Sequence, residues 1–167
     1  MKTLYLLRHA KSSWDDPMMA DFDRPLNDRG RQAAPFMGDL IASKGFDPSV
    51  ILCSPAERAR QTGLLVKTHS GLEAPVLFDE RIYEASAQGL RQVISELAES
   101  YDSALLVGHN PGVEGLIRLL TGDIEPMPTA ALAVLHLRIG NWPELGAGSG
   151  SLLAVYRPKE EAKRSAN

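Results

Sequence analysis

The chain alternates short apolar runs with longer stretches in which apolar residues recur at helical spacing. Four runs, Thr3 to Leu7, Val50 to Cys53, Val76 to Phe78 and Ala104 to Val107, read as strands covered on both faces, because each is continuous, short and bounded by turn signals. The spacing predicts a helix over Leu26 to Lys44, with Asn27 as its start, Ala33, Phe36, Met37, Leu40 and Ile41 on one face, and Gly45 as its stop. Pro35 within that span signals a kink or a late start. A second helix is predicted over Pro55 to His69, with Ser54 as N-cap and Pro55 at the first helical position. Gln88 to Ser100 carries Leu90, Val93, Ile94 and Leu97 at core spacing, and a fourth helix starts at Asn110 or Pro111 and ends at Thr121. This alternation predicts an α/β domain in which helices cover a mainly parallel sheet.

After Gly122 the pattern changes. Ala130 to Leu137 and Ser151 to Tyr156 read as two more strands, joined by the Gly- and Pro-bearing stretch Gly140 to Gly150, and so as a hairpin or edge addition. Residues 1–158 are expected to form one domain, and the charged tail Lys159 to Asn167, with little to bury, is expected to fray.

Composition narrows the function classes. At 167 residues, 44% of them hydrophobic, the chain supports one self-sufficient core. A net charge of −3 from 18 basic and 21 acidic residues, with no run of five or six like charges, predicts no nucleic-acid or membrane partner, so any anion site must be local. The single cysteine, Cys53, lies in an apolar run, cannot form an internal disulfide and reads as a buried, inert thiol suited to a reducing compartment. The apolar stretch Leu4 to Leu7 is too short for a signal-peptide core, and no run approaches the ~20 apolar residues of a membrane helix. A soluble, cytoplasmic protein is expected.

The strand ends carry the candidate chemistry. The first run leads into Arg8-His9-Ala10-Lys11-Ser12, the second into Ser54-Pro55 and Arg58, the third into Asp79-Glu80 and the fourth into Gly108-His109-Asn110. Parallel strands would end on one edge, where open α/β sheets bind ligands, and would gather Arg8, His9, Arg58, Glu80 and His109 into one pocket. An imidazole between arginines is disfavoured as a cation and keeps a free ring nitrogen for attack on phosphorus, while the same arginines attract a phosphate dianion. The planar fork of arginine matches phosphate oxygens with paired charge-assisted hydrogen bonds, and Arg58 lies in the first turns of its helix.

His109, in a glycine-flanked turn, is a candidate donor to the phosphoryl oxygens. A zinc site of His9, His109 and a carboxylate is the weaker alternative, because two arginines would repel a dication. Glu80 is the first candidate acid for the leaving group and Glu84 the second, and His69 and His136 read as structural.

Taken in order, Leu7-Arg8-His9-Ala10-Lys11-Ser12, then Ser54-Pro55 with Arg58-Ala59 and Gln61-Thr62, then Val107-Gly108-His109-Asn110-Pro111, resemble the histidine phosphatase superfamily, also called phosphoglycerate-mutase-like, from Thr3 to about Tyr156. Ala10 after the histidine, the segment Asp23-Arg24-Pro25-Leu26 and the short length resemble the SixA-type phosphohistidine phosphatase branch. The resemblance implies a three-layer α/β/α sandwich, His9 as the residue phosphorylated, Arg8, Arg58 and His109 as the phosphate pocket, and no metal or organic cofactor. Glu80 falls where many members of the superfamily hold a proton donor. The small phosphohistidine phosphatases tend to lack that acid, which keeps small phosphoesters in play.

The leading expectation is thus a monomeric phosphatase acting through a phosphohistidine on His9, with a phosphohistidine-bearing protein as substrate. A small-molecule phosphomonoesterase is the alternative; a mutase, for which no long lid insertion is visible, and a non-catalytic phosphate-binding module are less favoured. The segment Trp14 to Asp23, with Trp14, Pro17, Met18 and Met19, is either a solvated loop or a partner-contacting rim.

Overall fold

The computed structural model describes residues 1–166. Its centre is a six-stranded sheet built from β1 (Lys2–Arg8), β2 (Val50–Cys53), β3 (Val76–Phe78), β4 (Ser103–Gly108), β5 (Leu132–Leu137) and β6 (Gly150–Tyr156) in the order β3-β2-β4-β1-β5-β6. The first four in chain order are mutually parallel, and β5 and β6 extend the sheet as an antiparallel pair beside β1. The late strands are therefore the edge addition expected from the sequence.

The period of two along each strand sorts side chains onto two buried faces. Leu4, Leu6, Leu52, Leu106 and Leu135 point to one core with residues of α3 (Ala87–Ser95) and α4 (Gly112–Thr121). Tyr5, Leu7, Ile51, Cys53, Val107 and Leu132 point to the other, with residues of α1 (Asp28–Lys44) and α2 (Glu57–Ser70). Both faces are covered, which gives the three-layer sandwich and explains why the strands read as unbroken apolar runs.

Local signals set most helix limits. The Asn27 side chain accepts a hydrogen bond from the Gly30 N–H (2.9 Å), and Gly45 closes α1 in the left-handed conformation (φ 71°), as the sequence predicts. Pro35 is accommodated inside α1. Two limits, the start of α2 and the end of α3, differ from expectation for identifiable reasons. Helix α2 starts at Glu57, not Pro55, because Ser54 does not cap it: the Ser54 hydroxyl accepts from the Ala56 N–H and faces His109. Helix α3 ends at Ser95 rather than Ser100, where the Glu96 N–H turns back onto the carbonyls of Val93 and Ile94.

The expected frayed tail is instead helix α5 (Pro158–Ala166), with Asn167 outside the described residues. Its buried Glu161 takes an ion pair from Arg164 (3.1 Å), and Arg157 just before it is tied to Glu125 (2.9 Å). The link between β5 and β6 holds a fully buried Trp142, whose indole N–H donates to the Tyr101 carbonyl (2.9 Å). No helix among the described residues is long and apolar enough to cross a membrane.

Candidate active site

Register assembles the site. Parallel pairing sets Arg8 opposite Gly108 and Cys53 opposite Val107, so β1, β2 and β4 end at one level. The His9 N–H then donates to the Gly108 carbonyl (3.0 Å) and the Ser54 N–H to the Val107 carbonyl (3.1 Å). The rings of His9 and His109 lie 5.0 Å apart, and Arg8 and Arg58 join them in lining a cavity of about 300 Å³. Four of the five residues expected at this edge are brought together.

His9 is 7% exposed, and its Nδ1 lies 2.7 Å from the Ala10 carbonyl oxygen. A carbonyl only accepts, so Nδ1 carries the proton and Nε2 keeps its lone pair. Burial pushes the His9 pKa down to about 3 against the opposing pull of that carbonyl, with His109, Arg58 and Arg8 adding to the depression. Burial and Arg58 likewise push His109 down to about 4. His109 Nε2 meets Ser54 Oγ at 2.7 Å, while its buried Nδ1 has no partner among the described residues.

The segment after His9 is fixed by α2. Thr62 Oγ1 accepts from the Ala10 N–H (3.0 Å) and donates to the Arg58 carbonyl (2.7 Å), and Gln61 Oε1 accepts from the Leu26 N–H (2.8 Å). The Arg58, Gln61 and Thr62 pattern is thus one device that ties the helix to both loops of the site. Arg8 donates to the Met127 carbonyl (3.1 Å), and its buried Nε has no partner among the described residues. Cys53 is buried behind the site, where burial pushes its thiol up to about 12, so it stays protonated.

Sequence reasoning missed Asp21. Its carboxylate accepts from Arg58 (3.0 Å), Arg24 (2.8 Å) and the Tyr83 hydroxyl (2.7 Å), and its carbonyl accepts from Arg58 as well (2.7 Å). Tyr83 first, then the two arginines, hold this carboxyl far below the usual carboxylate range. Arg24 also stacks on Trp14, 3.3 Å from the ring centroid, and donates to the Ser13 carbonyl. The loop is therefore anchored at its base, while Trp14 (73%) and Met18 (90%) remain exposed. The only local signal was Asp21 three residues before Arg24, which does not distinguish it from Asp15, Asp16 and Asp23.

Glu80 is exposed in a short 3₁₀ turn after β3 and does not line the cavity, nor does Glu84. Tyr83 comes nearest from that segment, with its ring edge-on to His109 at 5.5 Å. Among the described residues no three His, Cys, Asp or Glu side chains converge to hold a metal ion.

A family model described as histidine phosphatase superfamily (branch 1) matches residues 4–105. The chain belongs to the histidine phosphatase superfamily. An uncharacterized protein of Mycobacterium leprae is 33% identical over 166 residues, 92% of this chain and all of the relative. A structure from Agrobacterium tumefaciens, provisionally assigned as the phosphohistidine phosphatase SixA, superposes with a TM-score of 0.82 at 31% identity, over 94% of this chain and 98% of that one. The protein histidine phosphatase SixA complexed with tungstate gives the same TM-score at 21% identity, over 95% and 99% of the two chains, a likeness of fold. Membership and the SixA likeness support phosphatase activity in this histidine phosphatase, hence a hydrolase.

Proposed function

We propose that this histidine phosphatase removes phosphoryl groups from phosphohistidine on a protein, by way of a phosphohistidine formed on its own His9. The observation that carries the substrate is the pairing of a full set of phosphate-binding side chains, Arg8, His9, Arg58 and His109, with carboxylic acids Glu80 and Glu84 that stay outside the cavity. An alkoxide leaving group needs a proton from a placed acid, whereas a leaving imidazole departs with far less help. The likeness to the SixA structures supports the same substrate.

In the first step the lone pair on His9 Nε2 attacks phosphorus in line with the P–N bond to the leaving imidazole, which departs with that bond's electrons and takes a proton from water. Arg8 and Arg58 hold the non-bridging oxygens. The contact between Ser54 Oγ and His109 Nε2 (2.7 Å) fixes the His109 ring at the wall of the cavity, beside the phosphoryl group on which charge develops. Water then attacks phosphorus, forming a P–O bond as the new P–N bond breaks and returns its electron pair to His9 Nε2, and its protons leave with inorganic phosphate and solvent.

The test compares catalytic efficiency on a phosphohistidine-bearing carrier protein with that on a panel of small phosphomonoesters, for wild type and His9→Ala. The carrier should be preferred by about a hundredfold, and His9→Ala should lose at least about a thousandfold. Preference for one small ester would move the substrate to a metabolite, and turnover surviving in His9→Ala would remove His9 as nucleophile.

A further inference from the structure

A second cavity, of about 570 Å³, opens beside the phosphate pocket and shares Lys11 and Thr129 with it. Its charged lining is Lys11, Arg29, Arg157 and Lys159 against the single carboxylate of Glu160, with Ala33, Pro128 and Pro158 as apolar surface. Arg157 is already engaged, by Glu125 (2.9 Å) and Glu160 (3.7 Å). Lys11, Arg29 and Lys159 have no ion-pair or hydrogen-bond partner for their side-chain nitrogens among the described residues. In a chain of net charge −3, three free cations around one cavity are a local excess that attracts anions.

The cavity is held in place by the elements that hold the active site. The Asn27 N–H donates to the Lys11 carbonyl (3.0 Å), and α1 approaches so closely that a Cβ on Gly30 would lie 2.2 Å from that same oxygen, which sets Arg29 beside Lys11. Opposite, the Ala130 N–H donates to the carbonyls of Arg8 and His9 (3.1 Å each), and Arg157 donates to the Pro126 carbonyl (3.1 Å). The segment bearing Pro128 and Thr129 is thus tied at one end to the catalytic strand and at the other to the start of α5.

The two cavities share Lys11, whose Cα is at most about 7 Å along the chain from that of His9. One substrate molecule can reach both. We propose that this cavity is a subsite for a second anionic group, a carboxylate or phosphate, carried on the part of the substrate that leaves. The proposal rests on the phosphatase reading and adds to it the chemical class of the leaving portion. The same anion can belong to a small phosphoester or to an acidic side chain beside the phosphohistidine of a carrier protein.

Binding is measured first, in a His9→Ala background so that no turnover intervenes, with phenyl phosphate and with the matched ester bearing a carboxylate on its ring. The carboxylated ester should bind about tenfold more tightly, and Arg29→Gln with Lys159→Gln should abolish the difference while leaving phenyl phosphate affinity within about twofold. Equal affinity for the two esters, or a preference that survives both substitutions, overturns the subsite. Turnover with His9 restored then separates the two sources. A loss of kcat/KM in the double variant on the phosphorylated carrier assigns the anion to the protein, and a loss on the carboxylated ester alone assigns it to a small molecule. Absence of turnover on every substrate would sink the phosphatase reading while the binding result still decides the subsite.

Discussion

Asp21 and an incoming phosphate compete for the same guanidinium. The Asp21 carboxylate sits 3.0 Å from Arg58 Nη2 and is stabilised as an anion by Tyr83, Arg24 and Arg58, so it occupies the fork that a dianion needs. Asp21→Asn removes the negative charge and keeps the shape. Inorganic phosphate should then inhibit about three- to tenfold more strongly, measured as its competitive inhibition constant. Weaker inhibition would mean that the carboxylate serves to aim Arg58 instead. Arg8, His9, Arg58 and His109 were legible because each follows a strand end at a fixed offset, which sheet topology converts into proximity. Asp21 was not, because its position depends on a loop folded back onto Arg58 from 37 residues away in the chain. Glu80 satisfied the same offset rule and still lies outside the cavity, exposed in the 3₁₀ turn after β3, from which Tyr83 reaches His109.

Helix α1 is the element on which the site leans. Gly30 is buried against the Lys11 carbonyl, and an added Cβ would lie 2.2 Å from that oxygen, a backbone atom that cannot turn aside. Gly30→Ala should therefore cost about 2–4 kcal/mol in urea denaturation and lower activity as well, because the relief is movement of the segment just after His9. Gly45→Ala is the contrast. Gly45 has φ 71° with nothing within 4 Å of the added atom, so about 1 kcal/mol of stability should go while activity stays. Equal effects of the two on activity would show that α1 does not set the Lys11 segment. The strands and helices α1 to α4 were legible from apolar spacing, whereas helix α5, in a charged tail expected to fray, was not. The misplaced limits lie where tertiary partners outbid local signals: Ser54, a good cap in isolation, faces His109, and α5 forms where charged residues find Glu161, Glu125 and Arg157 as partners.

Across the whole molecule, the active-site design makes stability depend on pH. His9 and His109 are buried as neutral rings with pKa values pushed to about 3 and about 4, against 6.5 for an unperturbed histidine. Between pH 6.5 and about 4 the unfolded chain therefore binds protons that the folded chain refuses, and stability is complete above that window and falls as pH falls through it. Each histidine contributes a slope of up to about 1.4 kcal/mol per pH unit. Taken from pH 7.5 to 5.0, the wild type should lose about 2–4 kcal/mol in urea denaturation, and His9→Gln should lose about half as much. Asp79 and Glu96, whose carboxyls are held low first by Arg81, begin to weaken the fold only below their ordinary values of 3.8 and 4.5, outside this comparison. An unchanged loss in His9→Gln would place the folded His9 pKa near 6.5 and take away the free Nε2 lone pair at mildly acidic pH. A halved loss would show that the burial which keeps the nucleophile ready at neutral pH also destabilises the fold in acid.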